Sequence, residues 1–226
     1  CSWRLLNGQR IPIFAVAMAK TKEKILQAAL LLFNREGLVN VRLQHIADEA
    51  FVSVGNLAYH YPNKEAIVLK LYENLAAQQA ELLREYRSVP LFESIDRLFR
   101  LTFQLQETYR FFYLDTLEVS RAYPSVAERH QQQIHSQITQ LHHILQFNVA
   151  RGALLPGEPH WEYRPVAQKI WMMMDLWRLQ FRVQFGEEGK EDTFLEGLWG
   201  LLKPYFSDMG RQEYRQMLNH PYDFFF

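Results

Sequence analysis

Four consecutive residues in the first quarter of the chain have types and spacing that suit contact with DNA base edges: Ser53, Val54, Gly55 and Asn56. They follow a short predicted turn and open a short predicted helix. Such a helix, with small residues at its start, can enter the major groove and bring its first side chains to base edges. Gly55 leaves room for the backbone to approach DNA closely. The pattern indicates the second helix of a helix-turn-helix unit.

The sequence contains no comparable pattern for catalysis or metal binding. His130, His135, His142 and His143 fall in one predicted helix, but no pair of them has the i, i+4 spacing of a helical zinc site. We expect these histidines to lie on a polar, solvent-exposed face of the helix. The chain has a single cysteine, Cys1, and neither a glycine-rich phosphate loop nor a Gly-x-Ser-x-Gly motif. We therefore predict a protein that is not an enzyme and that has no metal and no cofactor.

The composition limits how DNA could be bound. Among 226 residues, 25 lysines and arginines balance 25 aspartates and glutamates, so the whole surface cannot act as a polyanion binder and any DNA contact must be local. Aromatic residues make up 14%, which indicates large interior contacts or an apolar pocket. The apolar run at residues 11–19 is too short for a membrane span, so a cytoplasmic protein without a membrane partner is expected.

Helical periodicity, with almost no strand pattern, predicts an all-α fold. Near the N-terminus, one helix begins at Thr21 and is stopped by Gly37, a second covers residues 41–50, a third follows the N-cap Ser53, and Asn63 caps a longer fourth. Further helices are expected at 91–107, 109–120, 124–151, 165–185 and 192–206.

These elements predict three segments. Residues 1–17 form an extension expected to lie outside the fold, with an ordered arm or a targeting signal as alternatives. Residues 18–66 form the helix-turn-helix DNA-binding domain. Residues 67–226 form a larger helical bundle for ligand binding and dimerisation.

The run KTKEKILQAALLLFNREGLVNVRLQHIADEAFVSVGNLAYHYPNKE, residues 20–65, resembles the DNA-binding domain of the TetR/AcrR family of bacterial transcriptional regulators. The matching motifs are Ile-Leu-x-Ala-Ala-x-x-Leu-Phe in the first helix, Ser53-x-Gly55-x-Leu57, and Tyr59-His60-Tyr61-x-Asn63-Lys64-Glu65. The resemblance covers about a fifth of the chain. The remainder matches the family only in architecture.

The resemblance implies roles for individual residues. Early in the second helix, Arg42 and Gln44 would face phosphates or a base, and residues 53–56 would lie at the start of the recognition helix. Tyr59, His60 and Lys64 complete the expected DNA contacts, the last two on the backbone. Two positions depart from the family pattern. Ala58 replaces a tyrosine that usually donates to phosphate, with Tyr59 or Tyr61 as substitutes, and Phe51 replaces the usual glycine of the turn, so that the turn must bury or display an aromatic ring.

The second domain is expected to hold a ligand pocket and a dimer interface. The pocket candidates are Phe99, Phe103, Phe111, Phe112, Trp171, Met174, Trp177 and Phe181, with ordinary core packing as the alternative. The dimer candidates are Met173, Phe185, Leu195, Leu198, Trp199 and Leu202, with burial inside a monomer as the alternative. On one predicted face, Asp175, Arg178 and Arg182 could fix a polar ligand end or form a surface ion-pair ladder.

Together these features predict a homodimeric transcriptional regulator that represses by binding a palindromic operator in double-stranded DNA. A small, largely apolar ligand in the second domain would release it, and the fourth helix would link the two domains. Two alternatives remain open from the sequence. One is a helical sensor or protein-interaction module that has lost site-specific DNA binding, and the other is a helical-bundle enzyme.

Overall fold

The computed structural model describes residues 3–6, 9–85, 89–157 and 162–219. Within them the fold is all-α, as predicted, except for a two-stranded antiparallel hairpin at the N-terminus. Its strands β1 (Trp3–Leu6) and β2 (Gln9–Pro12) pair in a register that runs from Trp3 opposite Pro12 to Leu6 opposite Gln9. The first helix follows directly, so Thr21 lies inside it and is not an N-cap.

The helices are α1 (Ile13–Glu36), α2 (Leu43–Glu49), α3 (Val54–His60), α4 (Lys64–Glu85), α5 (Phe92–Thr108), α6 (Arg110–Leu114), α7 (Thr116–Ala122), α8 (Pro124–Ala150), α9 (Tyr163–Phe185), α10 (Glu191–Leu202) and α11 (Asp208–Asn219), with a 3₁₀ turn at Lys203–Tyr205. The helix expected at 109–120 is two helices, because the backbone leaves helical geometry at Asp115. Gly37 and Gly186 end α1 and α9 in the left-handed conformation (φ +79° and +74°) that a side chain disfavours.

The chain divides into two compact units. The first comprises Cys1–Asn74 and Asp115–Ala127, and the second comprises Leu75–Leu114 and Glu128–Phe226. The predicted domain boundary between residues 66 and 67 stays a prediction.

The first unit has a core contributed by α1 to α4. Ile25, Ile46, Ala47, Leu57 and Ile67 are fully buried. The apolar residues of α1 recur at helical spacing, which places one face of that helix against α2, and α2 in turn packs against α3. The outer faces of the two short helices remain exposed.

The second unit has an aromatic core. Trp199 on α10 contacts the rings of Phe92 and Phe99 on α5, with ring centres 5.4 and 5.7 Å apart. The indole N–H of Trp199 donates to Asp96 Oδ1 at 2.8 Å, and Asp96 in turn binds Arg100 at 2.7 Å. Because the buried carboxylate accepts from both groups, this polar pair fixes how α10 packs on α5.

Candidate nucleic-acid interface and ligand cavity

The corner between α2 and α3 is set by local hydrogen bonds. The backbone N–H of Arg42 donates to Nδ1 of His45 at 3.4 Å where α2 begins. Ser53 is the N-cap of α3, as predicted, and its Oγ accepts the backbone N–H of Asn56 at 3.1 Å. Leu57 anchors α3 in the core of the first unit. The start of α3 is therefore a defined, exposed helix end.

Phe51 displays its ring at this corner. Its backbone is left-handed (φ +56°), its side chain is 94% exposed, and its N–H donates to the Asp48 carbonyl at 3.1 Å. The N–H of Val52 reaches back to the Ala47 carbonyl at 2.9 Å. This is the helix-ending motif in which glycine usually takes the left-handed place. Of the two outcomes expected for the turn, the chain displays the aromatic ring.

The first four residues of the predicted recognition surface all face outward. Ser53, Val54, Gly55 and Asn56 are exposed. A Cβ placed on Gly55 would meet no atom of the protein within 4 Å, and the φ of Gly55 does not require glycine. The chain's own packing therefore gives no reason for a glycine here, whereas close approach of an external surface does. Their contacts with DNA stay predictions.

Of the five remaining predicted contacts, three are exposed and two, His60 and Lys64, are partly buried. Arg42 is exposed at the start of α2, and Gln44 is exposed with its amide donating to Asp48 Oδ1 at 2.7 Å. Tyr59 is 71% exposed, and its ring meets that of the half-buried His60 edge-on at 5.2 Å. Because Tyr61 is buried, only Tyr59 is placed to replace the donor missing at Ala58.

Lys64 has a structural role that sequence reasoning missed. Its Nζ donates to the backbone carbonyl of Leu38 and lies 5.7 Å from the centre of the Phe33 ring. Partial burial lowers the pKa of its ammonium group. The side chain thus ties the start of α4 to the segment after α1. An ammonium group has three donors, so a phosphate contact from Lys64 stays a prediction.

The strain at Phe51 is testable by substitution. We expect Phe51→Gly to raise the free energy of unfolding by about 1 kcal/mol, because glycine adopts the left-handed conformation without the Cβ clash and the exposed ring contributes little packing. Urea unfolding of the intact chain measures the change. Phe51→Ala is the control, since it removes the ring and keeps the Cβ. An equal gain in both variants would contradict the explanation by strain.

A small cavity lies inside the second unit, among α4, α5, α6, α8 and α9. Its volume is about 30 Å³, and it is lined by Gln79, Leu82, Leu83, Leu98, Thr102, Gln106, Tyr113, Gln137, Leu141, Trp171, Met174 and Asp175. Of the predicted pocket residues, Trp171 and Met174 line it.

The other predicted pocket residues do not line this cavity. Phe99, Phe103, Trp177 and Phe181 pack in the aromatic core of the second unit, where the Trp177 ring is 5.2 Å from that of Phe194. Phe111 and Phe112 are buried beside α9 and α8. For these six, the core-packing alternative describes what the structure shows, because large rings at helical spacing fill each other's gaps.

The three charged residues of α9 that the sequence placed on one face do not form a surface ion-pair ladder. Asp175 lines the cavity and is buried, and this burial raises the pKa of its carboxyl to about 7. Arg178 is buried, and its guanidinium binds Glu107 and Glu188 at 2.6 and 2.9 Å. The exposed Arg182 lies 3.6 Å from Glu188. Asp175 is therefore separate from the ion pairs of its neighbours.

The structure corrects four of the predicted dimer residues. Leu195, Leu198, Trp199 and Leu202 are buried in the core of their own chain, because α10 packs against α5 and α9. Met173 is partly buried over Gly197, where a Cβ would come within 2.3 Å of its methyl carbon. Phe185 is exposed. Of the six predicted dimer residues, Phe185 is therefore the one whose ring is exposed.

The helix α9 carries an exposed apolar stripe. Met172, Leu176, Leu179 and Val183 are all exposed, and they recur at i, i+4, i+7 and i+11. This is the spacing of residues that form a seam between packed helices. The heptad spacing was readable in the sequence, but apolar residues on other faces of the same helix obscured it.

In the described ranges, no helix is both long enough and apolar enough to cross a membrane. The same residues contain no group of three or more His, Cys, Asp or Glu side chains that could hold a metal ion.

Comparison with known families gives two adjacent matches. Residues 25–71 match the family model described as bacterial regulatory proteins of the tetR family. Residues 72–214 match a model named TetR and described as a bacterial transcriptional repressor. The second match covers more than half of the chain. The first contains α2, the turn and α3.

Two curated transcriptional regulators are similar in sequence to part of this chain. The HTH-type transcriptional regulator RutR of Escherichia coli K12 is 33% identical over 113 residues, which are 49% of this chain and 46% of RutR. The biofilm operon icaADBC negative transcriptional regulator IcaR of Staphylococcus epidermidis is 29% identical over 117 residues, 51% of this chain and 63% of IcaR. The matched segment is thus less than two thirds of the length of each of these curated relatives.

Among solved structures, a TetR-family transcriptional regulator from Marinobacter aquaeolei VT8 superposes with a TM-score of 0.77 at 20% identity. The alignment covers 88% of this chain and 98% of that one. At this identity the similarity establishes a common fold.

Proposed function

The chain belongs to the tetR family of bacterial regulatory proteins, and from that premise we propose that it is a transcriptional repressor which binds a palindromic operator as a homodimer. DNA binding would place its action in the cytoplasm. Members of this family are regulators and not catalysts, which agrees with the prediction of a non-enzymatic protein.

The exposed start of α3 is the observation that carries this proposal. A helix of this length fits the major groove, and its first turn presents Ser53, Val54, Gly55 and Asn56 together. The hydroxyl and amide side chains can exchange hydrogen bonds with base edges, and the Val54 methyl groups can contact a thymine methyl. Behind them, Leu57 and Ile46 fix the helix to a rigid core.

Homodimer formation follows from the size of this surface. One short helix contacts only a few base pairs, and dimers obtain affinity by binding two half-sites one helical turn apart. The exposed stripe Met172, Leu176, Leu179 and Val183 on α9 supplies an apolar surface that a second copy can cover. We propose that α9 packs against α9 of the partner subunit.

Charged substitutions in this stripe are expected to separate the subunits. In Leu176→Asp and in Leu179→Asp, each dimer would bury two unpaired carboxylates. We therefore expect the dissociation constant of the dimer to rise about tenfold or more. Sedimentation equilibrium measures the effect. Gln180→Asp is the control, because it adds the same charge at an exposed position of α9 outside the stripe. A dimer that tolerates both stripe substitutions would contradict this interface.

Ligand release is the regulatory part of the proposal. A ligand that binds within the second unit would favour a dimer state whose recognition helices no longer match two half-sites. A shift of the population from 1:99 to 99:1 requires a difference in affinity of about 5.5 kcal/mol between the two states. The cavity beside Trp171 and Met174 is the proposed binding place.

The repressor proposal can be tested by fluorescence anisotropy with DNA from upstream of the protein's own gene. We expect saturable binding that persists in excess random duplex. The binding should weaken when the salt concentration is raised, because phosphate contacts release counterions. Binding no tighter than to random duplex, for the upstream DNA and for DNA selected from a random library, would overturn the proposal.

A further inference from the structure

The cavity of the second unit contains two buried oxygen acceptors that no group in the described chain satisfies. Asp175 is 6% exposed, and its carboxylate makes no hydrogen bond or ion pair with any described residue. Gln106 is 1% exposed, and its Oε1 has no partner, whereas its Nε2 donates to the Met174 carbonyl at 2.5 Å. Buried acceptors without partners are uncommon because each forfeits its hydration.

Three of the hydrogen-bond donors that line the cavity already have acceptors within the described chain. The indole N–H of Trp171 donates to Gln137 Oε1 at 2.9 Å, and the amide of Gln79 donates to the Tyr113 hydroxyl at 2.8 Å. The hydroxyl of Thr102 donates to the Leu98 carbonyl at 2.8 Å. Among the described residues, no lysine, arginine or histidine lines the cavity. A positive charge to pair with the Asp175 carboxylate must therefore come from a ligand, which can also donate to Oε1 of Gln106.

The remaining walls define the rest of such a ligand. Four leucines line the cavity, Leu82, Leu83, Leu98 and Leu141, together with the rings of Trp171 and Tyr113. Aromatic faces attract a cation in a desolvated site. The volume of about 30 Å³ is enough for one polar head group and too small for a whole drug-sized molecule, so an apolar tail has to part the leucine side chains.

We propose that this cavity binds an organic amine in its protonated form, with the ammonium N–H groups donating to the Asp175 carboxylate and to Oε1 of Gln106 and with a short apolar tail among the leucines. The site changes the expected ligand from a largely apolar molecule to an amphiphilic cation. The regulatory meaning of this binding rests on the proposed repressor function, but the binding itself does not.

Isothermal titration calorimetry of the intact protein with hexylammonium tests the proposal. Hexanol and hexanoate are matched probes, because they keep the tail and replace the cation by a neutral hydroxyl or an anion. We expect hexylammonium to bind about ten- to a hundredfold more tightly than hexanol, and hexanoate not to bind. Equal affinity for hexylammonium and hexanol, or no binding of hexylammonium, would overturn the proposal.

Two variants locate the site. Asp175→Asn is expected to abolish the preference for the cation over hexanol, and Gln106→Met to weaken hexylammonium binding by about tenfold through loss of one acceptor. Glu128→Gln, the same kind of change at an exposed position on α8, is expected to leave binding unchanged. If Asp175→Asn still prefers the cation over hexanol, the amine binds elsewhere, and the proposed site is refuted.

DNA binding of the same preparations is measured separately by anisotropy. Failure of hexylammonium to bind, with DNA binding intact, would refute the amine site and leave the repressor proposal standing. Amine binding by a protein that does not bind DNA would refute the repressor proposal and leave the amine site standing.

Discussion

Gly55→Leu is expected to abolish site-specific DNA binding while leaving the fold intact. A Cβ on Gly55 points into open space, with no atom within 4 Å beyond its chain neighbours and its own helix backbone, so the fold has room for an added side chain. Leucine also has a higher helix propensity than glycine, so α3 should be no less stable. The same side chain would hold the start of α3 away from the major groove. Because each half-site loses base contacts worth about 1–3 kcal/mol, we expect affinity to fall about a hundredfold or more.

Anisotropy with a selected operator and thermal unfolding of the same variant measure the two halves of this prediction. Gly55→Ala gives an intermediate step, since its single methyl group extends less far. Ala77→Leu is the control for added apolar surface, because Ala77 is exposed on α4 in the other compact unit. Undiminished operator affinity in a folded Gly55→Leu protein would remove α3 from the DNA interface.

Asp175→Asn is expected to stabilise the protein, and increasingly so as the pH rises. Burial raises the pKa of Asp175 from 3.8 to about 7, so between these values the folded chain holds a proton that the unfolded chain releases. The free energy of unfolding of the original protein therefore falls from about pH 4 to pH 7 and stays at the lower value above. Asparagine has no such dependence. The variant should gain little at pH 4 and roughly 2–4 kcal/mol at pH 8.

Urea unfolding at several pH values gives this difference directly. Among the residues that line the cavity, Tyr113 is the other titratable group, and no lysine, arginine or histidine lies there to hold Asp175 ionised. Glu128→Gln is the matched control at an exposed carboxylate on α8. A stability difference between Asp175→Asn and the original protein that does not change with pH would contradict the burial of an unpaired carboxyl.

The sequence predicted the helices better than it predicted which face of each helix is covered. Ser53, Asn63 and Gly186 act through hydrogen bonds or backbone angles within a few residues, and each lies where the local pattern placed it. The break at Asp115 was missed, because the apolar residues on both sides keep helical spacing across it.

Burial depends on long-range packing, which periodicity does not report. Trp199 and Trp171 both have helical spacing, but the first fills the core and the second lines the cavity. On α9 the apolar residues surround most of the helix, so the sequence alone did not distinguish Leu179, which is exposed, from Ile170, which is buried. Lys64 resembled a phosphate contact, and its bond to the Leu38 carbonyl depends on a fold that brings distant residues together.

Selection from a random duplex library tests the central claim most directly. The intact protein is incubated with the library, bound DNA is recovered through several rounds, and the enriched sequences are aligned. We predict a palindromic motif with two half-sites about one helical turn apart, and its loss when the selection is repeated with Gly55→Leu. A library that is not enriched would contradict a DNA-binding role and favour a helical module without site-specific DNA binding. A library enriched equally by both proteins would remove α3 from the DNA interface.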